Sequence, residues 1–130
     1  MKLSEAIKGA DELRPGNKIS NETKRRWLYS LDVGIFENVM LAHEDNASEY
    51  PKDYMTEFDP NLLLDNSDAE VYVWYLVAQI DSATGESERY NTSAERYNAL
   101  YKAFSAKYTR EHMPIQKHRL QNVMRIGGLL

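Results

Sequence analysis

The apolar positions in the second half of the chain repeat with the spacing of an α-helix. Between Ser87 and Glu111 they are separated alternately by four and three residues, and the tetrapeptide Glu-Arg-Tyr-Asn recurs after seven residues. This spacing predicts one helix over 86–112 with a single apolar face that presses on another surface. The face consists of Tyr90, Ala94, Tyr97, Tyr101, Phe104 and Tyr108.

The first half of the chain contains two more segments with helical spacing. Residues 4–13 begin at Ser4, which can cap a helix, and are followed by a turn-forming Arg-Pro-Gly-Asn sequence. Residues 21–42 follow Ser20, another capping residue. Gly34 lies inside this second helix and costs about 1 kcal/mol relative to alanine, so it indicates a kink or a close packing contact.

A further helix is predicted over 67–83, because Ser67-x-x-Glu70 has the form of a capping box. The apolar residues 71–78 are rich in β-formers and are also compatible with a buried strand. The preceding cap and the continuing apolar pattern favour a helix. Since this segment is apolar on nearly all sides, we expect it at the centre of the core, followed by a break at Gly85.

A long acidic loop is predicted over 43–66, where two X-Pro pairs disfavour helix. Residues 43–70 hold nine acids and one base, Lys52, whereas residues 113–130 hold three bases and no acid. A connection of this length is usually functional or flexible. An acidic loop and a basic tail favour head-to-tail contacts between copies or with partners, the plain alternative being a solvated loop and a frayed terminus.

These elements predict an all-α fold, a single-domain bundle of about four helices. We expect a helical domain over 1–114 and a basic, flexible tail over 115–130. The chain of 130 residues contains no cysteine, which excludes disulfides and thiolate metal sites. The longest apolar run has eight residues, far short of a membrane span, and the N-terminus lacks the apolar stretch of a signal peptide.

Catalytic and metal-binding signatures are not indicated. His43, His112 and His118 lie far apart without ligand-like spacing. Asp32 and Asp81 lie within apolar helices, where structural pairing, for example with arginines of a neighbouring helix, is a better interpretation than acid–base catalysis. No phosphate-binding, dinucleotide-binding or nucleophile-elbow motif is present. We therefore expect no enzyme, no metal, no cofactor and no small-molecule substrate.

The aromatic face has two interpretations. It packs mainly against the second and third predicted helices, but a buried tyrosine hydroxyl needs a partner, and tyrosine is enriched at protein interfaces. Direct reading of DNA is not indicated, because the chain is acidic and the adjacent bases at 24–26 point in different directions. The candidate interface residues are Tyr90, Tyr97 and Tyr101 of the helix and Lys117, Arg119 and Arg125 of the tail.

Two segments of the chain resemble small proteins of tailed phages and prophages. The first opens with Trp-Leu-Tyr-Ser-Leu-Asp at 27–32 and continues through the second predicted helix. The second includes Gln-Ile-Asp at 79–81, Arg-Tyr-Asn at 89–91, the tyrosine stripe and the closing His-Met-Pro at 112–114. In these apolar and aromatic positions the chain is similar to head–tail connector, or head-completion adaptor, proteins of long-tailed phages infecting Gram-positive bacteria. The resemblance covers about residues 3–42 and 70–114.

The resemblance implies an all-helical adaptor subunit in the virion, present in the bacterial host cytoplasm before assembly. Such proteins form a ring beneath the portal ring after DNA packaging and receive the next connector or tail protein. The implied partners are therefore the portal, copies of the chain itself and the next connector, with passing contact between the tail and packaged DNA. We expect residues 113–130 to dock on the portal or a neighbouring subunit, and residues 43–66 to make lateral or distal contacts.

One alternative to this interpretation remains open. It is an intracellular helical regulator whose tyrosine-rich face binds one protein partner. A connector forms or joins a closed ring, because a head-to-tail interface closes only at a fixed rotation. A regulator forms a small complex of one or two copies. A more distant alternative, a DNA-binding accessory protein, predicts binding that falls steeply with salt.

Overall fold

The computed structural model describes residues 1–43 and 49–112. They form four α-helices and two short 3-10 helices, at Met40–Ala42 and Asn66–Asp68, and the predicted all-α bundle is confirmed. The predicted tail at 115–130 and its candidate residues Lys117, Arg119 and Arg125 lie outside the described residues. The α-helices are α1 (Leu3–Leu13), α2 (Asn21–Asn38), α3 (Glu70–Ala83) and α4 (Ser87–Glu111).

Helix α3 lies at the centre of the bundle, as its apolar sequence predicts. It packs against α1, α2 and α4. Tyr72, Leu76 and Val77 are fully buried, because neighbouring elements cover α3 on several sides. The strand interpretation of residues 71–78 is wrong.

The close approach of α1 to α3 depends on a glycine that the sequence pattern does not single out. A Cβ built on Gly9 would lie 3.1 Å from Cγ2 of Val73, closer than ordinary van der Waals contact. At Gly34, by contrast, the nearest atom to such a Cβ is Nδ2 of Asn38 at 3.9 Å. Of the two alternatives given for Gly34, a kink or a close packing contact, the close contact is therefore wrong, and Gly9 makes such a contact on another helix.

Helix α2 begins as predicted and ends earlier. The Ser20 hydroxyl accepts a hydrogen bond from the backbone N–H of Thr23 at 3.1 Å, which confirms the N-cap. The predicted end at residue 42 is wrong for an α-helix, because the chain tightens into the 3-10 turn Met40–Ala42. There the His43 ring donates to the Val39 carbonyl at 2.6 Å, while the His43 backbone N–H bonds the Met40 carbonyl.

The caps predicted for α1 and α3 do not form. Ser4 lies inside α1, and its backbone N–H and hydroxyl donate to the two carboxylate oxygens of Asp59, at 3.0 and 2.7 Å. Ser67 belongs to the 3-10 turn before α3, where its hydroxyl accepts from Lys107 at 3.2 Å. Glu70 instead accepts from the Trp74 indole at 3.0 Å. The two serines predicted as caps are thus used by tertiary partners, Asp59 and Lys107.

A buried carboxylate ties the long loop to the bundle. Asp32 on α2 has no exposed surface and accepts hydrogen bonds from the Tyr54 hydroxyl at 2.5 Å, the Tyr72 hydroxyl at 2.6 Å and the Leu63 backbone N–H at 3.0 Å. The Tyr72 hydroxyl in turn accepts from the Leu64 N–H at 2.8 Å. Donors from the loop and from α3 therefore converge on one side chain of α2.

A second buried carboxylate joins three helices. Asp81 on α3 accepts from Nε and Nη2 of Arg14 at 2.7 and 3.0 Å, a bidentate pair at the end of α1. The Ser93 hydroxyl of α4 donates to the same carboxylate at 2.9 Å. Both aspartates are therefore structurally paired, as predicted: Asp81 with an arginine, the example expected from the sequence, and Asp32 with tyrosine hydroxyls instead.

Replacing Asp32 by alanine is expected to lower the free energy of unfolding by about 3 kcal/mol, because three buried donors lose their acceptor. Urea unfolding followed by circular dichroism measures the change. The matched control is Glu12→Ala, since Glu12 is an exposed acid on α1; its effect is expected to stay within about 0.5 kcal/mol. Equal effects of the two substitutions would contradict the role given to Asp32.

The stability contribution of Asp32 should depend on pH with a defined sign. Burial raises the pKa of Asp32 above its ordinary value of 3.8, and the hydrogen bonds from Tyr54, Tyr72 and Leu63 offset part of that rise. The folded state therefore holds the proton more tightly, and the contribution is fully present below pH 3.8 and lost as the pH rises through the folded pKa.

We accordingly expect the free energy of unfolding of the wild type, relative to Asp32→Asn, to fall as the pH rises from 3.8 through the folded pKa of Asp32. Above the folded pKa this difference should no longer change with pH. Urea titrations at a series of pH values give this difference. The same series on Glu12→Gln controls for the loss of one carboxylate at the surface. A relative stability that rose with pH would show that the pKa of Asp32 is lowered on folding.

Candidate interaction surface

The aromatic residues of α4 lie in three different environments. Phe104 and Tyr108, near the C-terminal end, are buried in the core. Tyr97 and Tyr101, at the middle of the helix, are partly buried, and Tyr90, in the first turn, is 40% exposed. The periodic stripe is therefore buried in the core at the C-terminal end of α4 and exposed at its N-terminal end.

The rings form a continuous row along α4. Tyr97 packs against Tyr75 of α3 with ring centroids 5.4 Å apart, and the spacing to Tyr101 is 5.9 Å. Tyr101 contacts Phe104 at 6.2 Å, and Phe104 contacts Tyr108 at 5.9 Å. This row joins the exposed part of the helix to the core by ring contacts.

The row ends in two histidines. Tyr108 stacks on His112 with centroids 3.8 Å apart and planes 10° apart, and the His43 ring meets Tyr108 edge-on at 4.9 Å. The His112 ring also donates to the Tyr108 carbonyl at 2.9 Å. His43 is therefore buried at this end of α4, and the partly buried His112 stacks on the row from outside.

The hydroxyls of Tyr97 and Tyr101 are only partly enclosed. Neither makes a hydrogen bond within the described part of the chain, where every buried side-chain nitrogen or oxygen has a partner. Burial of the rings raises the pKa of both tyrosines. Each side chain thus presents a buried ring and a polar tip, the arrangement that makes tyrosine common at protein interfaces.

One cation of α4 contacts an aromatic ring of α3. Arg96 lies over the Trp74 ring at 5.1 Å from its centroid, and Trp74 is itself partly exposed on α3. Among the residues described, Arg89, Arg96 and Lys102 form no ion pair, whereas Lys107 pairs with Asp68 at 2.8 Å. We call the surface formed by Trp74, Tyr75, Tyr97 and Tyr101 the aromatic face.

A second exposed feature lies on the loop. Phe58 is 97% exposed, far more than any other large apolar side chain in the described ranges. The guanidinium of Arg25 on α2 donates to the carbonyls of Glu57 and Phe58, the latter at 3.1 and 3.2 Å. Beside Phe58 lies an open groove of about 640 Å³ between α1 and α2, lined by apolar Leu3 and Ile7 and by charged residues.

Sequence reasoning found part of this surface. The structure brings Tyr97 and Tyr101 together on the aromatic face, and leaves Tyr90 exposed at the start of α4. The sequence reasoning missed Phe58, for which the only signal was an aromatic residue between two acids ahead of a proline. Lys117, Arg119 and Arg125 lie outside the described residues, and their interface role stays a prediction.

The described residues offer no arrangement typical of a metal site or a membrane span. Within 1–43 and 49–112, no three His, Cys, Asp or Glu side chains are grouped closely enough to hold an ion. None of the helices described there combines the length and apolar character needed to cross a membrane.

Compared with protein-family models, curated proteins and solved structures, the chain shows no significant match to any of them.

Substitutions along α4 should separate core from surface. Phe104→Ala is expected to lower the free energy of unfolding by about 3 to 4 kcal/mol, because it leaves a cavity in the core. Tyr90→Ala is expected to cost less than about 1 kcal/mol, since the ring is partly solvated. Tyr97→Phe should change stability by less than about 0.5 kcal/mol, because its hydroxyl is only partly enclosed. Urea unfolding of the three variants checks the order, and an equal loss for Tyr90 and Phe104 would contradict it.

Proposed function

We propose that the chain is a structural subunit of a phage head–tail connector, an adaptor that attaches to the portal ring and acts without catalysis. The resemblance at residues 3–42 and 70–114 is the reason for proposing this family. The observation that carries the proposal is that one small bundle presents two separate aromatic features at its surface, the aromatic face and Phe58. A subunit of a ring needs two different surfaces, one for each neighbour.

The rigidity of both features supports this proposal. Asp32 holds the loop against α2 and α3, and Asp81 joins α1, α3 and α4 through Arg14 and Ser93. A ring closes only when each subunit repeats the same rotation, so its contact surfaces must be held at a fixed angle. Buried, hydrogen-bonded carboxylates provide such a fixed relation between elements.

Electron microscopy of the protein mixed with the portal ring from the same genome tests the proposal. We expect an added layer of density that follows the symmetry of the portal. The control is the same portal ring without the protein. A well-folded monomer that leaves the portal unchanged would overturn the connector proposal and favour the regulator with a single protein partner.

Deletion of residues 115–130 should separate folding from attachment. The core described above is built from residues within 1–43 and 49–112. We expect the truncated chain to keep its helical circular dichroism and its cooperative unfolding, and to lose attachment to the portal ring in the microscopy assay. A truncated chain that still adds a layer of density would refute the docking role of the tail.

A further inference from the structure

We propose that the C-terminal segment 115–130 docks in the groove between α1 and α2 of its own chain and covers Phe58. The segment lies outside the described residues, and it is assigned to the groove by its sequence and by the place where α4 ends. The contact goes beyond the proposed function, because it concerns the free chain before any partner is present. We call this site the tail groove.

The tail groove combines an apolar floor with an apolar wall. Leu3 and Ile7 of α1 lie buried beneath it, and Phe58 stands beside it almost completely exposed. Its volume of about 640 Å³ is comparable to that of sites that enclose a small ligand, so it has room for a few side chains of a peptide. No residue within 1–43 and 49–112 covers Phe58. The groove therefore offers apolar surface that a further segment can bury.

The wall of the groove is held in place before anything binds. The guanidinium of Arg25 donates to the backbone carbonyls of Glu57 and Phe58. On the other side of the turn, Asp59 accepts two hydrogen bonds from Ser4 of α1. A contact surface that is already fixed loses little conformational entropy on binding.

The end of α4 and the start of α1 lie at the same end of the bundle. His112 and Leu64 line one small cavity at the end of α4, and the Leu3 N–H of α1 bonds the Pro60 carbonyl at 2.9 Å. Four positions of chain, from residue 60 to residue 64, span at most about 14 Å. The 18 residues 113–130 span about 60 Å when extended. The segment is therefore long enough to enter the groove of its own chain.

The sequence of the segment suits an apolar groove. Leu120, Val123 and Met124 have the i, i+3, i+4 spacing with which amphipathic peptides enter such grooves. Residues 113–130 contain three bases and no acid. The groove is lined by three acids and two bases, a net charge of −1, namely Asp11, Glu12, Asp59, Lys8 and Arg25. The charges therefore attract only weakly, and the apolar contacts carry the interaction.

Attachment to the same chain favours this occupant over a second molecule. A short linker gives a tethered segment an effective concentration in the millimolar range. A contact too weak to join two molecules at micromolar concentration can therefore close within one chain. We accordingly expect the free chain to cover its own groove without dimerising.

Under the proposed function, this contact regulates assembly. The tail is the segment expected to dock on the portal, so the groove and the portal compete for it. A tail that the portal has taken leaves Phe58 uncovered for a neighbouring subunit. This consequence rests on the proposed function, whereas the contact in the free chain does not.

The absence of cysteine from the chain allows a direct test in the full-length protein. Lys8→Cys places one thiol at an exposed position that lines the groove, and Gln121→Cys places another in the tail beside Leu120. A short bismaleimide is added to the double variant at a series of protein concentrations, and the products are identified by gel mobility and mass spectrometry. We expect an internal crosslink within the monomer, formed at a rate that does not depend on protein concentration.

The matched control combines Gln121→Cys with Leu41→Cys. Leu41 is 52% exposed and lies two residues from His43, whose ring centroid is 6.2 Å from that of His112. A tail without a docking site would therefore reach this position at least as readily as the groove. We expect the pair with Lys8→Cys to react at least about threefold faster. Equal rates, or crosslinks mainly between molecules, would overturn the proposal.

Phe58→Ser tests the wall of the groove. In the variant with Lys8→Cys and Gln121→Cys, we expect it to lower the crosslinking rate to that of the Leu41→Cys control, because the apolar wall is lost. Tyr90→Ser changes another exposed aromatic residue, away from the groove, and should leave the rate unchanged. Both variants should unfold cooperatively, since neither side chain is buried. An unchanged rate for Phe58→Ser would contradict the contact.

The two proposals fail in different ways. The crosslink is measured without the portal, so its absence would leave the connector function standing. An internal crosslink in a chain that leaves the portal unchanged would show that the tail contact forms and that the connector function is wrong. With portal rings in excess, we expect the crosslinking rate to fall as the added layer forms. An undiminished rate in attached chains would overturn the competition for the tail.

Discussion

The structure depends on the burial of one carboxylate. A buried charge costs several kcal/mol unless donors replace its water, and Asp32 is surrounded by three such donors. Two of them, the Tyr54 hydroxyl and the Leu63 N–H, belong to the loop. The loop cannot leave the bundle without removing these donors and exposing the core beneath Leu62 and Leu64. A long acidic connection thereby becomes a fixed part of the fold.

The position of the loop determines what the molecule presents at its surface. With Tyr54 and Leu63 held inside, the turn between them is pushed outward and reaches the start of α1 and the side of α2. There Asp59 bonds Ser4, and Arg25 bonds the carbonyl of Phe58. Phe58, almost completely exposed, thus lies in the turn between two segments that the same buried carboxylate holds.

The sequence predicts the helices well and their ends less well, for a physical reason. Apolar periodicity is a local property, and it is sufficient for α1, α2 and α4 because each buries one face. The caps at Ser4 and Ser67 have the right local pattern, yet tertiary partners, Asp59 and Lys107, use those hydroxyls instead. No local pattern contains the information that the loop returns to α1, so the exposure of Phe58 could not be predicted.

The aromatic stripe shows why periodicity alone cannot assign an interface. Helix α4 has 25 residues and α3 has 14, so one helix cannot cover the other along its whole length. Near the C-terminal end of α4, His43 packs on Tyr108 and the side chain of Asp68 pairs with Lys107. No comparable contact covers the hydroxyls of Tyr97 and Tyr101. The positions at which the neighbouring elements end thus decide which tyrosine hydroxyls stay uncovered. Those of Tyr97 and Tyr101 stay uncovered because the covering elements lie at the other end of the helix.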